Sequence, residues 1–214
     1  MPALNEEEAI GDMIRAIRKV SRKYEIWVVD SGSTDRTVEI ARKMNVTILT
    51  MDRRGKGYAV AAALRTIDCD RLVLLDSDMS YCSSDIPAML KQLKHHKVVL
   101  GDRFNGTIEE GAMSLVNNIG NKMLTMMAFM LYGQMPWDVC TGFWAFRKEA
   151  YKRMSIDAIH FSLEANFYCQ CIKYGFKIAT VPITYKRRRG QSKLNIFDGF
   201  QILCYLIGNR VTEW

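Results

Sequence analysis

Short apolar runs alternate with amphipathic stretches through the first hundred residues, and that alternation leaves few folds open. "EIWVVD" (25–30), "VTILTM" (46–51), "RLVLLD" (71–76) and "KVVLGD" (97–102) read as strands with largely apolar interiors. Before and between them the sequence predicts four helices. Asn5 followed by Glu8 reads as a capping box opening a helix to about Val20, with Ile10, Met13, Ile14 and Ile17 as its apolar face. "STDRTVEIARKM" (33–44) is a second helix, the glycine-rich turn of "RRGKGYAVAAALRTI" (53–67) leads into a third, and Ser84 to about His95 forms a fourth. Strands this apolar must be covered on both faces, which predicts an α/β fold: a mostly parallel sheet flanked by helices. Ligands of such sheets bind beyond the carboxyl ends of the strands. Asp30, Asp76 and Asp102 each close a predicted strand, so three carboxylates are expected on one rim.

The third of these strands runs into two carboxylates separated by one serine, "RLVLLDSDMSY" (71–81). Side chains alternate along extended backbone, so Asp76 and Asp78 would face the same way if the strand persisted. Like charges so placed require a positive partner, and a hard divalent cation with oxygen ligands is one. The other reading is a polar loop in which Asp78 or Ser80 caps the next helix. The segment alone leaves both open.

After Gly106 the rhythm changes. A long apolar helix is predicted at about 111–131, a short strand at Phe143–Phe146, a helix at about 162–174, and a strand in "FKIATVPITYK" (176–186). Next comes "YKRRRGQSKLN" (185–195), with five basic residues in eight positions and Gly190 to let the chain turn. Such a run is either a solvated face or an anion site near a lipid surface. The last segment, "IFDGFQILCYLIGNR" (196–210), is apolar on more than one face. It reads equally as an interfacial helix or as one buried against the sheet. The methionine-rich "KMLTMMAFMLYG" (122–133) has the same ambiguity. "GKG" at 55–57 is either a backbone nest for an anion or a plain turn before a helix; it lacks the spacing of a phosphate loop and reads first as the turn.

Composition narrows the partners. A chain of 214 residues, 49% hydrophobic, can bury a substantial core. Its formal net charge of +7 suits phosphate-bearing ligands, nucleic acid or an anionic membrane. A nucleic-acid partner would leave the acidic strand ends without a role, so none is expected. Three histidines, two of them adjacent, and six cysteines with no C-x-x-C pair argue against zinc and for reduced thiols. No apolar run approaches the ~20 residues needed to span a bilayer.

Taken in order, these segments resemble family 2 glycosyltransferases of the GT-A fold, and within them the polyprenyl-phosphate sugar synthases. "PALNEE" is similar to the family's P-x-Y-N-E, which implies donor nucleotide contacts at Pro2, Leu4 and Glu6. "VVDSGSTD" resembles V-V-D-D-G-S-x-D, implying donor contacts at Val29, Asp30 and Ser31. "DSDMS" is similar to D-A-D-L-S/Q, implying that Asp76, Ser77 and Asp78 meet the donor and that Asp76, Asp78 and Ser80 hold Mg²⁺ or Mn²⁺. "GDRFNG" looks like G-S/T-R-Y and makes Arg103 a phosphate ligand. "RRRGQSKL" resembles R-x-x-G-x-S-K-L, implying that Arg187, Ser192 and Lys193 bind the acceptor phosphate. "DVCTGF" and "FSLEANF" fall where the family has D-x-x-x-G-F and an F-x-x-E segment, which brings in Glu164.

The resemblance implies a metal-dependent inverting enzyme that moves a sugar, mannose from GDP-mannose by preference, to dolichyl or polyprenyl phosphate. Alternatives are a UDP-sugar donor, a sugar-hydroxyl acceptor, or an inactive nucleotide-binding module. It implies catalytic roles for Asp78, Arg103, Arg187, Lys193 and Glu164. It also implies peripheral attachment to the cytoplasmic face of a membrane, with a membrane-spanning partner in some members. The nucleotide-sugar half would be 1–106, the acceptor half 107–194 and an interfacial helix 195–214. Three positions depart from the pattern. The sequence opens at P-A-L-N-E itself, where the family has an earlier strand, so either the true start lies further upstream or the sheet loses a central strand. Leu4 replaces an aromatic, and Ser31 replaces an aspartate that contacts the base.

Overall fold

The computed structural model describes residues 1–52, 54–156, 162–190 and 196–212. Its elements run β1 (Pro2–Ala3), α1 (Ile10–Val20), β2 (Trp27–Asp30), α2 (Thr37–Lys43), β3 (Thr47–Thr50), α3 (Lys56–Thr66) and β4 (Arg71–Leu74). A 3₁₀ turn (Ser83–Asp85) leads to α4 (Ile86–Gln92), then β5 (Val98–Ile108), α5 (Leu115–Tyr132) and β6 (Trp144–Arg147). The remainder is α6 (Lys148–Tyr151), α7 (Leu163–Lys173), β7 (Ile178–Tyr185) and α8 (Ile196–Thr212). Every helix and strand expected from periodicity is present, with ends shifted by a few residues.

The strands form two sheets. β1, β2 and β3 pair in that order, all parallel. The second sheet has the order β4-β6-β5-β7, in which β6 runs against both its neighbours while β5 and β7 are parallel. Strands from the second half of the chain are therefore interleaved with β4 and β5 from the first. Side-chain alternation splits this sheet between two cores. Val98, Leu100, Trp144 and Phe146 face a cluster completed by α3, α5, α7 and α8. Val99, Phe143, Ala145 and Val181 face a cluster built on α1 and α4. Both faces are covered, which is why these strands carry no polar period.

Between β2 and β4 lies a cavity of about 360 Å³, lined among others by Met1, Ile26, Val29, Leu64, Leu72 and Leu74. β1 is two residues long and, among the described residues, pairs with β2 alone.

Three expectations about local structure are corrected. There is no capping box, because α1 starts at Ile10 and its N-cap Ala9 has no side-chain cap. Asn5 instead adopts a positive φ of 51°, and its Oδ1 accepts from the Thr34 amide at 2.8 Å, tying the first loop to the second. Asp102 does not close a strand, since β5 continues to Ile108 past an irregularity between Asp102 and Thr107. Its carboxylate accepts from the Phe104 and Asn105 amides and so fastens that irregularity instead of serving the rim. Finally, β4 stops at Leu74, so strand alternation is not what orients Asp76 and Asp78.

Candidate active site

The acidic segment after β4 folds as a turn with Met79 at φ 67°. Within it Ser77 Oγ donates to the Pro2 carbonyl at 2.9 Å, locking the turn to β1. Asp78 Oδ1 accepts from the amide of Ser80 at 2.9 Å and from its hydroxyl. Ser80 thus orients Asp78.

The two carboxylates are each met by a different protein cation. Lys56, the first residue of α3 after Gly55 (φ 135°), extends its ammonium to Asp76 Oδ1 at 2.7 Å and to Glu164 Oε1 at 2.7 Å. Glu164 sits in the first turn of α7. Burial alone would lower the Lys56 pKa, but the Asp76 and Glu164 charges outweigh it and hold the ammonium above the ordinary lysine range. Burial pushes the Glu164 carboxyl up, and Asp76 adds to this while Lys56 opposes it. Asp78 is met by Arg188 Nη2 at 3.5 Å, and the same nitrogen reaches Glu6 Oε1 at 3.3 Å. Asp78 is also shifted upward, first by burial and then by the charge of Asp76, against hydrogen bonds from Ser80 and the attraction of Arg188.

The basic loop is fastened to the acidic turn through its backbone. Lys186 N donates to the Ser80 carbonyl at 2.8 Å and Arg189 N to the Asp78 carbonyl at 2.9 Å. Arg188, between them, is thereby aimed inward. Its Nε is buried and has no hydrogen-bond partner among the described residues. A buried donor left open beside two carboxylates suits an incoming anion. Arg187, the residue singled out from sequence, has an exposed side chain, and its amide donates to Glu109 Oε2 at 3.2 Å. Ser192 and Lys193 lie outside the described residues.

Arg103 is buried at 4% exposure and bound on two nitrogens, Nε to Asp138 Oδ2 at 2.6 Å and Nη2 to Asp138 Oδ1 at 2.7 Å. Its guanidinium lies 5.1 Å from the centroid of Tyr185. Burial works against its charge, yet Asp138 keeps its pKa well above the usual arginine value. Tyr185 packs edge-on against Tyr81, whose hydroxyl accepts from the Gly142 amide at 2.6 Å. The Arg103–Asp138 pair therefore supports the wall on which Gly142 meets Asp76.

Of the residues assigned to the donor from sequence, Pro2, Glu6, Val29, Asp30, Ser31, Ser77 and Asp78 are buried around the ends of β1, β2 and β4. Asp30 accepts from the Gly32 and Ser33 amides and shapes the turn after β2. Ser31 N donates to the Ala3 carbonyl at 2.9 Å, and Leu4 is half-buried. Sequence reasoning gave no role to Lys56, Arg188 or Asp138, although Asp138 opens the D-x-x-x-G-F segment. The only signal for Lys56 was its position in a strand-to-helix loop, on the side of the sheet where ligands bind.

A side chain at Gly142 would crowd Asp76. A Cβ there would stand 2.6 Å from Asp76 Oδ2 and 3.2 Å from its Cγ. Gly142→Ala is expected to displace Asp76 and lower kcat/KM by ~10²-fold, the order of loss from an ångström-scale misplacement. Steady-state kinetics beside a thermal melt would check it, and an alanine variant with full activity would remove Asp76 from the site.

The turn provides two carboxylates, Asp76 and Asp78, and among the described residues no group of three or more His, Cys, Asp or Glu is arranged to hold a metal. That donor set fits Mg²⁺ or Mn²⁺, which binds through one or two carboxylates and takes its other ligands from water and phosphate oxygens.

Comparison with known proteins places this geometry in context. The family model for glycosyl transferase family 2 matches residues 1–155. A dolichyl-phosphate hexose transferase of Haloferax volcanii is 34% identical over 201 residues, covering 93% of this chain and 86% of that protein. The glycosyltransferase AglJ of the same organism is 32% identical over 197 residues; the match takes in 91% of this chain and 64% of AglJ's length. Among solved structures, glucosyl-3-phosphoglycerate synthase from Mycobacterium tuberculosis, crystallised with Mn²⁺, UDP and glucosyl-3-phosphoglycerate, superposes with a TM-score of 0.78 at 20% identity. That match covers 98% of this chain and 78% of the synthase. At that identity the likeness is one of GT-A fold.

Proposed function

Because this chain belongs to glycosyl transferase family 2, we propose that it transfers a hexose from a nucleoside-diphosphate sugar to the phosphate of a polyprenol of the dolichyl type. The observation that carries this reading is the fastening of the basic loop over the acidic turn, with Arg188 facing Glu6 and Asp78 and its buried Nε open. Carboxylates that suit a cation and a diphosphate stand beside a guanidinium that suits a second phosphate. Asp78, with Asp76, would hold Mg²⁺ or Mn²⁺, and the ion would neutralise charge on the departing diphosphate. Arg188 and the exposed Arg187 draw the acceptor phosphate in. Lys56 fixes the carboxylates of Asp76 and Glu164, and the Arg103–Asp138 pair stiffens the wall behind them.

The state of Glu164 favours a phosphate acceptor over a hydroxyl. A hydroxyl needs a carboxylate base to take its proton, whereas a phosphomonoester is already largely ionised, its second pKa being about 6. Glu164 is engaged at 2.7 Å by Lys56 and is poorly placed to act as that base. The reaction then asks for positioning, and the cations provide it. Mannose from GDP-mannose is the donor carried by the resemblance. A UDP-sugar is the second reading, because Ser31, buried at the end of β2, stands where the pattern has a base-contacting aspartate.

The test pairs purified protein with GDP- and UDP-sugars, Mg²⁺ or Mn²⁺, and either a short polyprenyl phosphate or the bare polyprenol. Transfer to the phosphate alone, lost with chelator, is the expected result. Transfer to the bare alcohol would overturn the acceptor assignment.

A further inference from the structure

The acidic turn has few carboxylate oxygens to spare. Asp78 Oδ1 is taken twice by Ser80, through its amide at 2.9 Å and through its hydroxyl. Asp76 Oδ1 is taken by Lys56 at 2.7 Å, and Asp76 Oδ2 lies against Gly142, 2.6 Å from where a Cβ would stand. Asp78 Oδ2 is the oxygen that remains, and the cation facing it is Arg188, whose Nη2 is 3.5 Å away. The two cations of the site are held very differently. Lys56 makes two contacts of 2.7 Å, to Asp76 and Glu164. Arg188 reaches Glu6 at 3.3 Å and Asp78 at 3.5 Å, the second beyond ordinary hydrogen-bond range. Its main chain is nevertheless fixed on both sides, since Lys186 N and Arg189 N donate to the Ser80 and Asp78 carbonyls and the Arg189 side chain pairs with Asp12. A firmly placed backbone thus carries a loosely held guanidinium.

We propose that Arg188 is a displaceable counter-ion: it competes with the divalent cation for Asp78 Oδ2, and giving up that oxygen frees its guanidinium for a phosphate. The two claimants exclude each other by charge. A guanidinium 3.5 Å from Oδ2 and an ion bound ~2 Å from the same oxygen would stand within about 6 Å of each other, in a site where little water screens them. Arg188 yields and Lys56 does not, because the contacts of Arg188 are the longer ones. Its buried Nε has no partner among the described residues, so release of Nη2 gives the paired donors that match two phosphate oxygens. Metal and phosphate binding are thereby linked through one side chain, each favouring the state in which Arg188 has left Asp78. Such a linkage is reciprocal. This deepens the acceptor reading above and rests on it: the basic loop becomes receptive to the acceptor phosphate when Asp78 has taken its cation.

The experiment is a titration of the full chain with Mn²⁺, the free ion being read by electron paramagnetic resonance, without nucleotide and at fixed ionic strength. It is run with and without geranyl phosphate, after subtracting the Mn²⁺ that this phosphate binds by itself. Arg188→Gln should bind Mn²⁺ about tenfold more tightly than wild type, because the competitor is gone. Arg187→Gln removes the same charge from an exposed side chain and should change the affinity by less than about twofold. Geranyl phosphate should tighten Mn²⁺ binding about tenfold in wild type and less than about threefold in Arg188→Gln. Circular dichroism checks folding, and Arg188→Met, which keeps the aliphatic stem, decides the matter if the glutamine variant does not fold. Mn²⁺ affinity in Arg188→Gln no greater than in wild type, an equal gain in Arg187→Gln, or no Mn²⁺ bound by any of these proteins would each overturn the proposal. A gain confined to Arg188→Gln, with wild type that never binds geranyl phosphate, would strike the acceptor reading and leave the competition for Asp78 standing.

Discussion

Asp78→Asn should lower sugar transfer by ~10³-fold while leaving the protein folded. The amide keeps an oxygen for Ser80 but loses the charge that a divalent cation requires, and several kcal/mol of stabilisation of the leaving diphosphate go with it, each ~1.4 kcal/mol being tenfold in rate. The sign of the stability change runs the other way. Burial and the neighbouring Asp76 raise the Asp78 pKa above its unfolded value. A carboxyl so shifted contributes stability below the unfolded pKa that is lost as pH rises through the folded one. At neutral pH the ionised Asp78 is therefore a cost to the fold without ligand, and Asp78→Asn should melt no lower than wild type. Titration calorimetry with nucleotide, with and without Mn²⁺, should show that the metal-dependent part of binding is gone. Wild-type kinetics in this variant would end the metal role of the acidic turn.

Asp138→Ala should cost about 3–5 kcal/mol of folding stability, the usual consequence of leaving one member of a buried ion pair without the other. Asp138 is fully buried, the Arg103 side chain is 5% exposed, and two hydrogen bonds join them. Urea unfolding at pH 7 would measure the loss. A decrease under about 1 kcal/mol would mean that Arg103 is solvated, and would return it to the pool of free phosphate ligands. Activity should fall as well, since Tyr185, Tyr81 and Gly142 connect this pair to Asp76.

Much of the site's composition was legible in the sequence. The acidic turn was found from a strand signal ending in D-S-D, and the basic loop from its charge density. Their mutual contact was not legible, because the hydrogen bonds from Lys186 and Arg189 to Ser80 and Asp78 span about a hundred residues of chain. Which arginine of the run faces inward depends on that fastening: Arg188 does, whereas the Arg187 singled out from sequence is exposed. Lys56 was read as part of a plain turn. Its Glu164 partner lies 108 residues away, and nothing near either residue announces the other. Asp102 misled for the opposite reason: it looked like a strand end, but β5 absorbs an irregularity and runs on.

The sequence by itself determined the succession of elements and the α/β class, because hydrophobic period is set by neighbours within a turn or two of backbone. It also determined the kinds of charged group available at the strand ends. The tertiary structure decided which of these charges meet. Inserting β6 between β4 and β5 brings Gly142 beside Asp76, while the placing of α3 and α7 gives that carboxylate and Glu164 a shared lysine in place of open solvent. Coulomb energy depends on separation in space and on local dielectric, neither of which is a property of residues adjacent in the chain.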